Sequence, residues 1–157
     1  VRSVIIDNNG LDPLVDLPGA HEAARAAIDR GDLEIRYVHT TLTEAADTPD
    51  KDRRDRLLLV LVNLAKPAPS YGFVLGESRL DHAALTDEAG AADLEALASD
   101  HLDHENNRRD ALVANTAKAN GWAVVTNESR LRKRATALGV EVLGTEALLR
   151  EIGFQAA

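Results

Sequence analysis

The amino-acid sequence predicts a three-layer α/β/α domain with a central, mostly parallel sheet of four or five strands. Three observations carry that expectation. Short β-branched runs, such as SVII at residues 3–6, stop abruptly at polar residues, as buried strands do. The last third of the chain alternates helix, strand, helix, strand and helix with tight connections, a pattern that buries a parallel sheet between two helical layers. Finally, 157 residues without an internal repeat, low-complexity tract or linker make one domain, 1–157.

Each element has its own warrant. Residues 3–6 form the first strand, ending at Asp7. Asn8-Asn9-Gly10 and Asp12-Pro13 carry turn chemistry. Residues 18–28 are alanine-rich with a helical period, and Gly31 is placed as their C-cap. Residues 33–38 alternate apolar and polar side chains, as a second strand would. Thr40 or Thr41 can then cap a helix through Leu42, Ala45 and Ala46, with Glu44 in its first turn.

Pro49 breaks the pattern before an Arg/Asp-rich helix that continues through residues 57–64. Residues 66–76 hold two prolines and two glycines and read as loop, with a short extended piece at Phe73-Val74-Leu75. Residues 91–102 are helical, and 108–120 form a stronger helix ending at Gly121. Residues 122–126 are a strand and 130–138 a basic helix closed by Gly139. Residues 140–143 make another strand, and 145–152 the last helix.

Composition narrows the function. Hydrophobic residues make up 45% and charged residues 28%, as in an ordinary globular protein. Aromatic residues, at 3%, leave few rings for an aromatic nucleic-acid platform. The absence of cysteine excludes disulfides, thiolate nucleophiles and Cys-based zinc sites. No apolar run is long enough to span a bilayer and the first residues carry no signal-peptide core, so the expected location is cytoplasmic. A net charge of −8 argues against simple clamping of phosphates, yet it suits phosphate binding through metal ions.

Ligands in open α/β sheets bind beyond the carboxyl ends of the strands. Asp7 and Glu128 lie at such ends and Glu44 soon after the second strand, while Asp110 opens the helix leading into the strand before Glu128. Converging carboxylates repel one another unless a cation or shared protons compensate, and oxygen-only ligands favour a hard ion, Mg²⁺ or Mn²⁺. Thr126 and Asn127 can orient such ligands. The alternative is structural: acids at helix starts stabilise the helix dipole, which would account for Glu44 and Asp110 alone.

The same residues resemble a known family. SVIIDNN is similar to the opening strand and first aspartate of PIN-domain proteins, the metal-dependent ribonucleases that include the VapC-type toxins. HTTLTEAAD resembles their glutamate-bearing helix, and RRDALVANTAKANGWAVVTNESRL their aspartate-led helix and following strand. The trailing RKRATALGVEVLGTEALL follows the same pattern, so the likeness spans nearly the whole chain.

That resemblance implies a PIN-like fold, metal-site and catalytic roles for Asp7, Glu44, Asp110 and Glu128, and supporting roles for Thr126 and Asn127. Asn8 and Asn9 are candidates to line the site, with turn formation as the simpler explanation. The departure is Glu128, where the family usually has Asp; it moves the carboxylate by about one C–C bond, which bears on rate and metal preference.

Other features are weighed against it. The His101 and His104 pair within residues 100–105 reads as a solvated helix end rather than a metal cluster. Arg130, Arg132, Lys133 and Arg134 form a basic cluster with two open readings, RNA steering or a solubilising helix face. Arg108 and Arg109 are similarly poised, with Arg109 a candidate phosphate contact. No Walker-type loop or dinucleotide glycine fingerprint is present.

The leading expectation is an endoribonuclease using Mg²⁺ or Mn²⁺, with an RNA substrate, an antitoxin partner if it is a toxin, and homodimerisation. The competing expectation, from Glu128, is a PIN-fold RNA-binding or assembly module with little or no catalysis.

Overall fold

The computed structural model describes residues 1–71, 83–84 and 104–155. A five-stranded parallel sheet runs through its centre. The middle strand, β1 (Arg2–Ile6), is flanked on one side by β2 (Leu33–Tyr37) and then β3 (Ala65–Pro67). On the other side stand β6 (Ala123–Val125) and β7 (Val142–Leu143). The intervening β4 (Ser70–Tyr71) and β5 (Ala83–Ala84) make a separate two-stranded pair. Val4 stands beside Ile35 in β2 and beside Ala123 in β6, and every pairing is parallel.

Strand alternation decides the layers. Val4, Ile6, Leu33, Ile35, Ala123 and Val125 all point to one face. They meet α1 (Asn8–Asp16), α2 (Ala20–Asp29), α4 (Lys51–Leu64) and α7 (Thr145–Glu151). Ala45, from α3 (His39–Ala46), joins that layer. Ile5 and Val124 point the other way, onto α5 (His104–Asn120) and α6 (Ser129–Ala137). Ile5, Ile6 and Val124 are fully buried, and burying each such side chain stabilises the fold by roughly 1.5–3 kcal/mol. The result is the expected three-layer α/β/α arrangement. Among the described residues no helix is long and apolar enough to cross a membrane.

Several elements differ from expectation for identifiable reasons. Residues 8–16 are helix, not turns: the Asp7 carboxylate caps the first turn, and Leu11 and Leu14 are buried three residues apart. Pro13 is the sixth residue of that helix, where its missing N–H forfeits one internal hydrogen bond. Gly10 is required by close approach, because a Cβ there would lie 2.8 Å from the Val125 carbonyl oxygen and 2.9 Å from Ile6 Cγ1. Val38 rather than Thr40 or Thr41 takes the N-cap position of α3, and both threonines are buried inside that helix.

β3 arises in what read as loop. It is an edge strand, where Pro67 costs the ladder little. α5 begins at His104, so Asp110 lies inside the helix and does not open it. The extended piece at residues 73–75, the helix at 91–102 and the side chains of residues 100–105 lie outside the described residues.

Candidate metal centre

The order of the strands creates the site. From β1 the chain builds outward to β2 and β3, then returns to the opposite side of β1 at β6. The crevice beyond the carboxyl ends at such a switch point is where open α/β sheets bind ligands. Asp7 follows β1 there, and Thr126-Asn127-Glu128 follows β6.

Asp7 is anchored by both strands. Its Oδ1 accepts the Gly10 N–H at 2.9 Å and its Oδ2 accepts the Thr126 hydroxyl at 3.0 Å. Thr126 Oγ1 in turn accepts the Glu128 N–H at 3.1 Å, so one buried hydroxyl links the first acid to the backbone of the last. Asn127 does something else. Its side-chain oxygen accepts the Thr145 N–H at 3.2 Å and its amide donates to Thr145 Oγ1 at 3.3 Å. It therefore ties the end of β6 to the start of α7 and orients no carboxylate directly.

Asp7, Glu44, Asp110 and Glu128 line one cavity of about 210 Å³, joined by Asn8, Asn9, Asp12, Thr41 and Arg109. All four acids separated in sequence thus converge. Helix-dipole placement does not explain the middle two: Glu44 is the sixth residue of α3 and Asp110 the seventh of α5, beyond the first turn where that effect acts. Turn formation does not explain Asn8 and Asn9 either, since they occupy the first helical positions of α1. Asp12 was legible only once that helix is known, one turn after Asn8 on the same face.

Electrostatics mark the cavity. Burial pushes the Asp7 carboxyl up to about 6, with the nearby Glu128 charge adding to it, against the lowering effect of the Gly10 and Thr126 hydrogen bonds. Burial likewise pushes Asp110 up to about 7, reinforced by Glu128 and Asp7 and opposed by Arg134 and Arg130. Two neighbouring acids raised into the neutral range describe a site that favours a cation over its own ionised state.

The basic residues divide. Arg109 Nη1 stands 3.8 Å from Glu44 Oε1. Arg132 and Lys133 are exposed, and Arg132 Nη2 donates to the Thr126 carbonyl at 3.4 Å. Arg134 is not part of that solvent-facing set: it is 8% exposed and its Nη1 lies 3.6 Å from Asp110 Oδ2. Leu131, Arg134 and Ala135 share the buried face of α6, which excludes Arg134 from RNA steering.

The donor set is all oxygen, as a hard divalent ion requires. Asn8 Oδ1 and Asp110 Oδ2 are buried acceptors without hydrogen-bond partners, which a bound ion and its waters would satisfy. Among the described residues, however, no three acidic or histidine side chains are already gathered as a closed ligand set; Glu44 and Asp110 lean on arginines instead. A cavity of about 460 Å³ elsewhere, beside Leu17, Leu149 and Phe154, holds only Glu146 and Arg150 as charged groups, and these pair with each other at 3.7 Å.

No protein-family model matches the chain, and no curated protein matches it. Solved structures do. PAE2754 from Pyrobaculum aerophilum is similar with a TM-score of 0.60 at 19% identity, over 98% of this chain and 97% of that one. VapBC2 from Rickettsia felis, solved bound to a DNA fragment from its promoter, is similar with a TM-score of 0.54 at 12% identity, over 90% and 98%. At these identities the likeness speaks to architecture, which agrees with the five-stranded parallel sheet and its helical layers. The chain has the PIN-domain fold.

Proposed function

We propose that this chain is a metal-dependent endoribonuclease that hydrolyses RNA phosphodiester bonds. The observation that carries the reading is the convergence of Asp7, Glu44, Asp110 and Glu128 on one cavity at the switch point of a PIN fold. Asp7 and Asp110, the buried pair, are the principal carboxylates for Mg²⁺ or Mn²⁺. When bound, such an ion supplies an acidified water and positive charge against a phosphodiester. Glu44 and Glu128, both part-exposed, take a second ion or position the attacking water from the open side. Thr126 holds Asp7 in place through its hydroxyl.

Arg109 lines the cavity, while Arg130 and the exposed Arg132 and Lys133 follow its acidic edge on α6. We assign RNA phosphates to these groups, a local basic strip on a chain of net charge −8. The toxin role, with an antitoxin partner and a homodimeric assembly, belongs to the same proposal; growth arrest on expression, relieved by a co-expressed neighbouring gene, would support it.

The competing reading is an RNA-binding or assembly module of the same fold. Glu128 and the absence of a closed ligand set among the described residues favour it. Labelled single-stranded RNA incubated with Mn²⁺ separates the two. The nuclease reading expects cleavage that EDTA abolishes and that Asp7→Asn lowers by at least about 10²-fold; cleavage surviving both treatments would refute it.

A further inference from the structure

The acids of the cavity face resident cations. Neither terminal nitrogen of Arg134 has a hydrogen-bond partner, and nor does the Asp110 oxygen 3.6 Å away. A buried guanidinium with unused donors is costly, so it persists where negative charge compensates it. Arg109 stands by Glu44 in the same way, and Arg53 on α4 holds Asp12 at 2.7 Å while sharing itself with Asp16. Three of the five lining acids thus have an arginine beside them. The other two, Asp7 and Glu128, are joined through Thr126.

Among the described residues, with Asp16, which shares Arg53, and Arg130, whose charge also acts on Asp110, both counted, six carboxylates face four guanidiniums and leave two negative charges, the complement of one divalent ion rather than two.

We infer that Arg134 is a positioning residue, a built-in counter-cation beside Asp110 that limits this cavity to a single divalent ion. The inference rests on the metal-site reading and sharpens it: Glu44 then serves to position water, because its own arginine and that of Asp110 supply the charge a second ion would bring. Replacing both Arg109 and Arg134 by neutral side chains leaves four negative charges, the acidic excess that a second ion needs. A lysine at 134 keeps the charge and keeps the count at one.

The test is a titration of the full chain with Mn²⁺ alone, counted by calorimetry and by the electron paramagnetic resonance of free Mn²⁺. Wild type and Arg134→Lys are expected to bind one ion per chain, and the double variant Arg109→Gln/Arg134→Gln two. Should the double variant fail to fold, Arg134→Gln and Arg109→Gln alone are each expected to keep one ion but bind it more tightly than wild type. Two ions on the wild type, a folded double variant that still binds one, or single variants of unchanged affinity would overturn the inference. No Mn²⁺ binding at all by the wild type would instead sink the metal-site reading beneath it.

Discussion

Asp7→Asn should stabilise the ion-free protein, and the gain should grow with pH. Asp7 is 8% exposed and its carboxyl is raised from 3.8 to about 6. Because the folded-state value lies above the unfolded one, the native state holds a proton that the unfolded chain releases between those values. Stability is therefore lost as pH rises through that window and stays lost above it. A shift of about two pH units corresponds to about 3 kcal/mol at pH 8 and less than about 1 kcal/mol near pH 4.

Asparagine keeps the shape, can still accept the Gly10 N–H, and cannot ionise. Urea unfolding of both proteins in EDTA, at pH 4 and pH 8, reads the difference directly. The variant should be more stable by about 1–3 kcal/mol at pH 8 and nearly equal at pH 4. With saturating Mn²⁺ the order should narrow or reverse, since ion binding stabilises only the native protein that can bind it. A variant destabilised equally at both pH values would refute the reasoning, because the contribution of Asp7 would then not depend on its ionisation, as an unshifted carboxyl requires.

Other outcomes follow from the same geometry. Gly10→Ala should cost about 1–3 kcal/mol, because its Cβ would press on the Val125 carbonyl and on Ile6; an unchanged denaturation midpoint would contradict the close approach. Thr126→Val removes the donor to Asp7 and the acceptor for the Glu128 N–H, so Mn²⁺ affinity should fall about 10–100-fold with native circular dichroism retained. Arg132→Gln and Lys133→Gln, at exposed positions, should each weaken RNA binding and lower the salt slope by about one unit; a slope unchanged in both would remove α6 from the RNA path.

Much of this was legible in the residues. The buried runs at residues 4–6 and 123–125, the first followed by Asp7 and the second, after Thr126 and Asn127, by Glu128, announce strand ends at a functional edge, because apolar continuity marks a strand covered on both faces. The first helix was hidden because Asn, Gly and Pro at residues 8–13 have turn propensities that tertiary contact overrides. The Asp7 cap, the buried leucines and the tight fit of Gly10 against β6 decide the conformation there. β3, three residues long, is too short to show any period.

Arg134 carried a signal that its basic neighbours obscured. It falls three residues after Leu131, on the apolar face of α6, where a solvated arginine does not belong. Asn127 could not have been placed without Thr145, eighteen residues away in sequence and within hydrogen-bond reach in space. Glu128, the one departure from the resembled pattern, reaches the shared cavity with the other acids.

The central claim is that Asp7, Asp110 and Glu128 provide carboxylates for one divalent ion. Crystals soaked in Mn²⁺ and measured near the manganese absorption edge test it most directly. The expected result is an anomalous peak inside the cavity at the switch point between β1 and β6, lost in Asp7→Asn crystals. A peak at some other group of acids, or none in the cavity while Mn²⁺ is bound elsewhere, would contradict it.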